Sequence, residues 1–262
     1  MTNLNLLIVE GNIKKDSELF TKAAGSSVSE NLKKLILELE PATIVKIIHP
    51  GNVIEAEYGA SNLTDFDGVI FTGGAMRIND QTEEINKHIL FAKKCFNANK
   101  KILAICWGLQ VCTVAAGGTV SKGKKGAHIG IASNIEINDK GQKHPIYKNK
   151  KNFFNTPAFN FDEVCNIPKN ATILSSDKIN NVMGLHFHVE SSEIWGVQYH
   201  PDYFYKQTIA LTKIRKEKLI KNSYFTSDED FEKNISYIED KEKELKFDDR
   251  CCEVKNWLDH IK

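Results

Sequence analysis

The sequence has no long apolar run, no excess of charge of one sign and no cysteine spacing typical of a disulfide scaffold or Cys-x-x-Cys site. No apolar stretch approaches the ~20 residues of a membrane-spanning helix, so we expect no membrane association. The 35 Lys and Arg residues almost balance the 34 Asp and Glu residues, which gives no electrostatic case for nucleic-acid binding. The N-terminal residues lack the basic region of a signal peptide. These absences predict a cytoplasmic protein with reduced cysteines.

Strand-like and helix-like segments alternate over the first part of the chain. Helical apolar spacing covers residues 28–39 and 82–98, and Ser27 with Glu30 has the pattern of a capping box. Four short apolar runs are typical of buried parallel strands: residues 4–9, 43–48, 68–71 and 102–105. The alternation predicts an α/β fold with a flavodoxin-like, open, mostly parallel sheet flanked by helices. In such sheets functional sites gather beyond the carboxyl ends of the strands.

The second part of the chain has a different pattern. Residues 117–199 contain short β-type runs separated by turn residues, which predicts an antiparallel extension of the sheet. Residues 203–222 and 228–249 have helical patterns, the first basic and the second acidic. We predict a domain over residues 1–205 and a helical C-terminal extension over residues 206–262 packed on it. The alternative is that these helices form a homodimer or partner surface.

Cys106 is the first candidate for a catalytic residue. It follows the apolar run 102–105 and precedes a helical stretch, and Gly108 comes two residues later. A reactive side chain on a sharp strand-to-helix turn has the geometry of a nucleophile elbow. The helix N-terminus behind the sulfur favours the thiolate, the form that attacks. The alternative is a buried cysteine that is only part of the core.

A second polar group comes at the end of a later strand-like run. Residues 194–202 end in His200, Pro201 and Asp202, and the proline stiffens the link between the two polar side chains. Together with Cys106 they make a complete set for an activated thiol, consisting of a nucleophile, a base and a group that orients the base. Because these residues are far apart in sequence, the fold has to bring the thiol and the imidazole together.

Three motifs resemble those of the class I, triad-type glutamine amidotransferases. Residues 104–110, Ala-Ile-Cys-Trp-Gly-Leu-Gln, resemble the family's Gly-x-Cys-x-Gly-x-Gln. Residues 196–202, Gly-Val-Gln-Tyr-His-Pro-Asp, resemble Gly-Val-Gln-x-His-Pro-Glu, and residues 71–74 contain the family's glycine pair. The chain is most similar to the stand-alone proteins that resemble the glutaminase domain of GMP synthetase. Ala104 in place of Gly and Asp202 in place of Glu are departures from the pattern.

The resemblance implies an enzyme that releases glutamate and ammonia from glutamine through a γ-glutamyl thioester on Cys106, with the ammonia passing to a separate synthetase. It implies no cofactor and no metal. The residues to which it assigns roles are Cys106, His200 and Asp202 as the catalytic triad, Gly74 and Trp107 as oxyanion-hole donors, and Gly73 and Gln110 at the substrate.

Two other functions stay open from the sequence. No ATP-pyrophosphatase signature is present, so the chain is not a complete GMP synthetase, and it could act as a free-standing γ-glutamyl peptide or amide hydrolase. A non-catalytic cysteine sensor or binding module is the third alternative. The base and carboxylate at His200 and Asp202 count against it, because a sensor needs no positioned base.

Three further segments attract attention. Residues 118–125 nearly spell a P-loop, but Lys125 stands where a magnesium-binding hydroxyl is needed, so we predict a basic surface hairpin. His186 and His188 could share one face of a strand, but without a further ligand pattern we expect a strand pair near the crevice and no zinc site. Residues 156–162 are placed like a family loop that forms a wall of the substrate pocket.

Overall fold

The computed structural model describes residues 3–262, which form a nine-stranded mixed sheet with helices on its faces and a separate two-stranded sheet. The large sheet has the strand order β2-β1-β3-β4-β11-β10-β9-β6-β7, and the small sheet pairs β5 with β8. The strands are β1 (Asn5–Val9), β2 (Ile44–Ile48), β3 (Gly68–Phe71), β4 (Lys101–Ile105), β5 (Thr119–Lys122), β6 (His128–Ile137), β7 (Phe153–Asn160), β8 (Asp162–Asn166), β9 (Thr172–Ser176), β10 (Gly184–Val189) and β11 (Ser192–Val197).

The helices pack on both faces of the large sheet and continue to the C-terminal end of the chain. Within residues 3–262, each of them is too short or too polar to span a lipid bilayer. The helices are α1 (Lys14–Ala24), α2 (Val28–Leu39), α3 (Val53–Ser61), α4 (Glu83–Asn97), α5 (Trp107–Ala115), α6 (Asp139–Gln142), α7 (Tyr205–Ile214), α8 (Lys216–Lys221), α9 (Asp228–Glu244), α10 (Phe247–Arg250) and α11 (Cys252–Ile261).

The predicted parallel core is confirmed. Strands β1 to β4 and β11 pair in parallel, and β3 and β4 are buried almost throughout. This burial explains why these strands have continuous apolar runs in place of alternating ones. Helix α2 begins at the predicted cap, where the Ser27 hydroxyl accepts a hydrogen bond from the Glu30 N–H at 3.2 Å.

The antiparallel extension is also confirmed, with one correction. Strand β10 pairs antiparallel with β9 and β11, and β6 with β7 and β9. The predicted hairpin over residues 118–125 is wrong, because β5 pairs with β8 and not with the strand that follows it. The reason is that β6 is already paired with β7 and β9, while Val120 and Val164 of the small sheet are buried in a common core. The element that directly follows β5 in the described chain is a strand and not a helix, so the segment is not a P-loop.

The C-terminal helices pack on the sheet, although their bounds differ from the prediction. The segment 203–222 is two helices, α7 and α8, that meet at Arg215. Buried residues of α9 join the β6–β7 region in one apolar cluster, and Trp257 of α11 lies against Gly68, where an added Cβ would be 2.6 Å from the indole ring. The division into a domain over residues 1–205 and an extension over residues 206–262 stays a prediction. Buried residues of both parts belong to the same apolar clusters.

Candidate active site

Cys106 lies at the carboxyl end of β4, between the strand and helix α5. Its backbone has φ 51° and ψ −102°, a conformation that a residue with a side chain rarely adopts and that is typical of a strained nucleophile elbow. Its N–H donates to the Val197 carbonyl at 2.8 Å, which continues the pairing with β11. A Cβ on Gly108 would be 2.4 Å from the Phe71 carbonyl oxygen. Only glycine therefore lets α5 approach β3 this closely and keep the sharp turn.

His200 follows β11 and comes to the same edge of the sheet. Its Nδ1 lies 3.1 Å from Oδ1 of Asp202, and both side chains are buried. The imidazole stacks on the Tyr203 ring with a centroid distance of 3.9 Å and an interplanar angle of 12°. The backbone N–H of His200 donates to the Pro157 carbonyl at 2.8 Å, which connects the loop after β11 to β7. These contacts fix the plane and position of the base.

The groups around His200 determine its pKa. Burial alone favours the neutral imidazole, but the Cys106 thiolate and the Asp202 carboxylate, by charge and by hydrogen bonding, outweigh burial and raise the pKa of His200 to about 10. The raised pKa favours the protonated imidazole, and Oδ1 of Asp202 lies where it can balance that charge. A cationic imidazole beside the sulfur is the arrangement that activates catalytic cysteines.

The predicted oxyanion-hole residues lie next to the sulfur. Gly74 and Trp107 both line the cavity above Cys106, and a Cβ on Gly74 would be 3.2 Å from Cδ1 of Trp107. Within residues 3–262 neither backbone N–H donates to another group. Gly73 packs against His200, where an added Cβ would be 2.4 Å from Cε1. Two backbone N–H groups with no acceptor in the described chain thus belong to residues that line the same cavity as the thiol.

The cavity over the sulfur has a volume of ≈ 510 Å³ and is lined by residues from both halves of the chain. Gln110 lines this cavity and donates to the Asp162 carbonyl at 3.2 Å and to Oε1 of Gln198 at 3.3 Å. Residues 159–162 form one wall, as predicted for the segment 156–162, although most of that segment belongs to strand β7. The seven residues predicted for the site therefore lie together at one sheet edge.

Two residues at the site were not among those predicted. The Gln198 side-chain amide donates to the Cys106 sulfur at 3.5 Å, a contact that would stabilise negative charge on it. Gln198 lies inside the motif of residues 196–202, so the motif itself could have indicated it. Arg215 lies on the cavity wall at the junction of α7 and α8. Nothing in the basic sequence around it distinguishes it from its exposed neighbours.

The histidine pair on β10 lies away from the crevice, which corrects the expected position. His188 is opposite Glu193 in the β10–β11 pairing, at the end of β11 remote from His200. His186, His188 and Glu193 bring ligand-type atoms within 4.8 Å of one another. The Glu193 carboxylate already accepts hydrogen bonds from Trp195 at 2.9 Å and lies 2.6 Å from His260. We therefore assign this cluster no part in the chemistry at Cys106.

Comparisons with known proteins identify the family. The family model "Glutamine amidotransferase class-I" matches residues 22–216. The chain is similar to γ-glutamyl-L-1-hydroxyisopropylamide hydrolase of a Pseudomonas species, with 26% identity over 100% of this chain and 94% of that protein. It is also similar to a glutamine-hydrolyzing GMP synthase subunit of Methanococcus vannielii, with 27% identity over 53% of this chain and 65% of the relative.

Solved structures give the same fold. A glutamine amidotransferase from Thermotoga maritima superposes with a TM-score of 0.71 at 15% identity, covering 100% of this chain and 99% of the other. The chain thus belongs to the class I glutamine amidotransferase family, and the predicted α/β fold is confirmed. It is a hydrolytic enzyme that acts on γ-glutamyl amides.

Proposed function

We propose that this enzyme hydrolyses γ-glutamyl amides through a γ-glutamyl thioester on Cys106, and that its preferred substrates carry an amine larger than ammonia. The observation that carries the proposal is the Cys106 thiol, held at φ 51° on the lining of a cavity of ≈ 510 Å³, with the His200–Asp202 pair at the same sheet edge. The proposal takes up the free-standing hydrolase among the sequence-based alternatives and keeps glutamine as its smallest substrate.

The first half-reaction forms the thioester. The Cys106 thiolate attacks the γ-amide carbon, and the backbone N–H groups of Gly74 and Trp107 donate to the oxyanion. His200 gives its proton to the amide nitrogen as the carbon–nitrogen bond breaks, so the amine leaves neutral. Asp202 holds the imidazole and balances its positive charge while the proton is still on the ring.

The second half-reaction returns the thiolate. His200 is now neutral and removes a proton from water, which attacks the thioester carbonyl. The same two N–H groups stabilise the second oxyanion, and the carbon–sulfur bond breaks to release glutamate. This sequence of steps places no metal and no cofactor in the reaction.

Two features support a leaving amine larger than ammonia. First, the cavity lies within the roughly 300–1,000 Å³ typical of ligand pockets, and its lining includes exposed apolar side chains. Leu19 and Ile214 are 41% and 46% exposed, and the Phe161 ring packs at a tilt on Tyr224, with the centroids 4.9 Å apart. Second, the Pseudomonas relative that matches along the whole chain acts, by its name, on a γ-glutamyl hydroxyisopropylamide. An apolar amine would cover these side chains, whereas ammonia would not.

The second candidate function is a glutaminase that supplies ammonia to a synthetase partner. It is supported by the similarity to the GMP synthase subunit of Methanococcus vannielii, which the chain matches over 53% of its length. The two functions use the same thioester and differ in the leaving group.

Steady-state rates with a series of γ-glutamyl amides would test the proposal. We expect kcat/KM to rise from glutamine through γ-glutamyl methylamide to γ-glutamyl propylamide, by about fourfold for each methylene that the cavity buries. Coupled detection of glutamate measures the rates, and the matching α-glutamyl amides serve as controls that should not react. Fastest turnover of glutamine would favour the glutaminase, and no turnover of any γ-glutamyl amide would reject a hydrolase.

The pH dependence of kcat/KM would test the state of His200. Because the pKa of His200 is about 10, the imidazole keeps the proton that the leaving amine needs at pH values below 10. The rate of acylation should therefore fall as the pH rises through this pKa.

Asp202→Asn removes one of the charges that raise the pKa of His200. We expect the alkaline limb to move to lower pH and the rate at neutral pH to drop roughly 10- to 1,000-fold. An unchanged rate in this variant would mean that another group orients His200.

A further inference from the structure

One face of the β10–β11 strand pair carries two imidazoles and a carboxylate. His186 and His188 are two residues apart on β10, so both side chains lie on the same face of the sheet. His188 is opposite Glu193 of β11 in the antiparallel register, which places the Glu193 carboxylate on this face as well. Ligand-type atoms of the three side chains lie within 4.8 Å of one another. These three residues form the β10–β11 cluster.

The distances in the β10–β11 cluster are close to those of a tetrahedral metal site. Nε2 of His186 lies 3.2 Å from Oε1 of Glu193. Two ligand atoms that bind one zinc ion at about 2.0–2.2 Å are separated by about 3.4 Å when the angle is tetrahedral. His188 is exposed, so its ring can change rotamer without disturbing the core. Side-chain rotation alone therefore lets all three residues bind one ion.

Neighbouring side chains hold the Glu193 carboxylate in place. Nε1 of Trp195 donates to Oε1 at 2.9 Å, and Nε2 of His260, on helix α11, lies 2.6 Å from Oε2. The His260 ring stacks on the Trp195 indole with a centroid distance of 4.4 Å. Hydrogen bonds of this kind orient the ligating carboxylates of metal sites. Oε1 can therefore bind an ion while Oε2 accepts a hydrogen bond from His260.

A further imidazole, that of His144, lies beside the cluster but has no lone pair for an ion. The centroids of the His144 and His186 rings are 4.6 Å apart. Nδ1 of His144 accepts a hydrogen bond from the Ile146 N–H at 3.2 Å, so the proton of the neutral ring is on Nε2. With three protein ligands, the fourth position of a tetrahedral ion is open to water, as the exposure of His188 allows.

We propose that His186, His188 and Glu193 bind a divalent transition-metal ion of the zinc type, with water as the fourth ligand. Two imidazoles and one carboxylate suit Zn²⁺, whereas Ca²⁺ and Mg²⁺ prefer oxygen ligands alone. The spacing of the two histidines within β10 could not reveal the set, because the third ligand comes from the paired strand. The sequence-based expectation of no zinc site is revised on this ground.

The proposed ion would connect three elements of the fold. Its ligands come from β10 and β11, and His260 joins α11 to the same carboxylate. Because the unfolded chain lacks the assembled site, the ion should stabilise the folded protein. The cluster lies at the end of β11 remote from His200, so loss of the site should leave hydrolysis at Cys106 unchanged.

Calorimetric titration with Zn²⁺ would test the site in a Cys106→Ala background, which removes the thiol of the active site as a competing ligand. We expect one ion per chain. His260→Ala should weaken binding about 10- to 100-fold, as is typical for a residue that orients a ligand, and His188→Ala should weaken it further. His49→Ala is the matched control. This partly exposed histidine follows β2, at the edge of the sheet, and pairs with Glu55 at 2.8 Å, so its loss should change nothing.

Cobalt(II) in place of zinc identifies the ligand atoms. The Cys106→Ala protein should give the visible absorption of four-coordinate Co²⁺ without a thiolate charge-transfer band, and the added His188→Ala should remove it. Circular dichroism without metal should not distinguish the two proteins, because the His188 side chain is exposed. Zn²⁺ should raise the Tm of the first protein only. A thiolate band, equal Zn²⁺ affinity of the two proteins, or no binding by either would overturn the proposal.

Discussion

Replacing Cys106 by alanine is expected to abolish the release of glutamate from every γ-glutamyl amide. The substitution removes the sulfur that would form the proposed thioester, and within the described chain no other thiol lines the cavity. The rate should fall at least about 10⁴-fold, since the residual activity would come from binding and the oxyanion hole alone. Glutamate detection measures the loss, and circular dichroism should show an unchanged fold, because the alanine side chain fills the same strained position.

Cys165→Ala is the matched control for this experiment. Cys165 is an exposed free cysteine, and its substitution should leave the rate unchanged. A second measurement follows the acyl group directly. Protein quenched in acid during turnover should carry the mass of one γ-glutamyl group in the wild type and in Cys165→Ala, and not in Cys106→Ala. Normal turnover by Cys106→Ala would reject the thiol mechanism.

Replacing Gly73 by alanine is expected to give the second largest loss. The added Cβ would lie 2.4 Å from Cε1 of His200, far inside van der Waals contact. The imidazole has little freedom to retreat, because it stacks on Tyr203 at 3.9 Å and is bound to Asp202. We expect the ring to shift away from the sulfur and kcat to drop about 100-fold, the usual cost of misplacing a catalytic group by about 1 Å.

Gly51→Ala provides the matched control, because nothing lies within 4 Å of the Cβ it would add. It should retain the wild-type rate. Thermal unfolding of both variants separates a local effect from a general one. The decrease in the free energy of unfolding of Gly73→Ala should stay within the ~1–3 kcal/mol typical of overpacking. An unchanged kcat in Gly73→Ala would mean that the imidazole does not act from the position described.

The core strands and the positions of the candidate catalytic residues could be predicted because their signals are local. Strands β3 and β4 are buried on both faces, so burial alone produces the continuous apolar runs that indicate them. Cys106 directly follows β4, and His200 comes shortly after the end of β11, which is where parallel sheets place their sites. The glycine pair is equally local, because Gly73 has to be small where it meets His200.

Other features depend on tertiary contacts and left no signal in the sequence. Helix α3 has Val53 and Ile54 on its outer face, at 57% and 79% exposure, so apolar spacing does not mark its buried side. Strand β5 finds its partner in β8 beyond two intervening strands, and the sequence favours the nearer pairing. Arg215 resembles the other residues of a basic helical segment, and only the fold places it on the wall of the cavity that contains Cys106.

The outer wall of the cavity, formed around Ile214 and Tyr224, belongs to a different stretch of chain from the sulfur and the imidazole. In the proposed mechanism, every γ-glutamyl amide leaves the same acyl group on the sulfur, whichever amine departs. Substitutions in the outer wall can therefore change which amine is accepted without altering the attack of water. The choice of leaving amine and the hydrolysis of the acyl group are therefore separable. Substitutions during evolution can change the first property and leave the second constant.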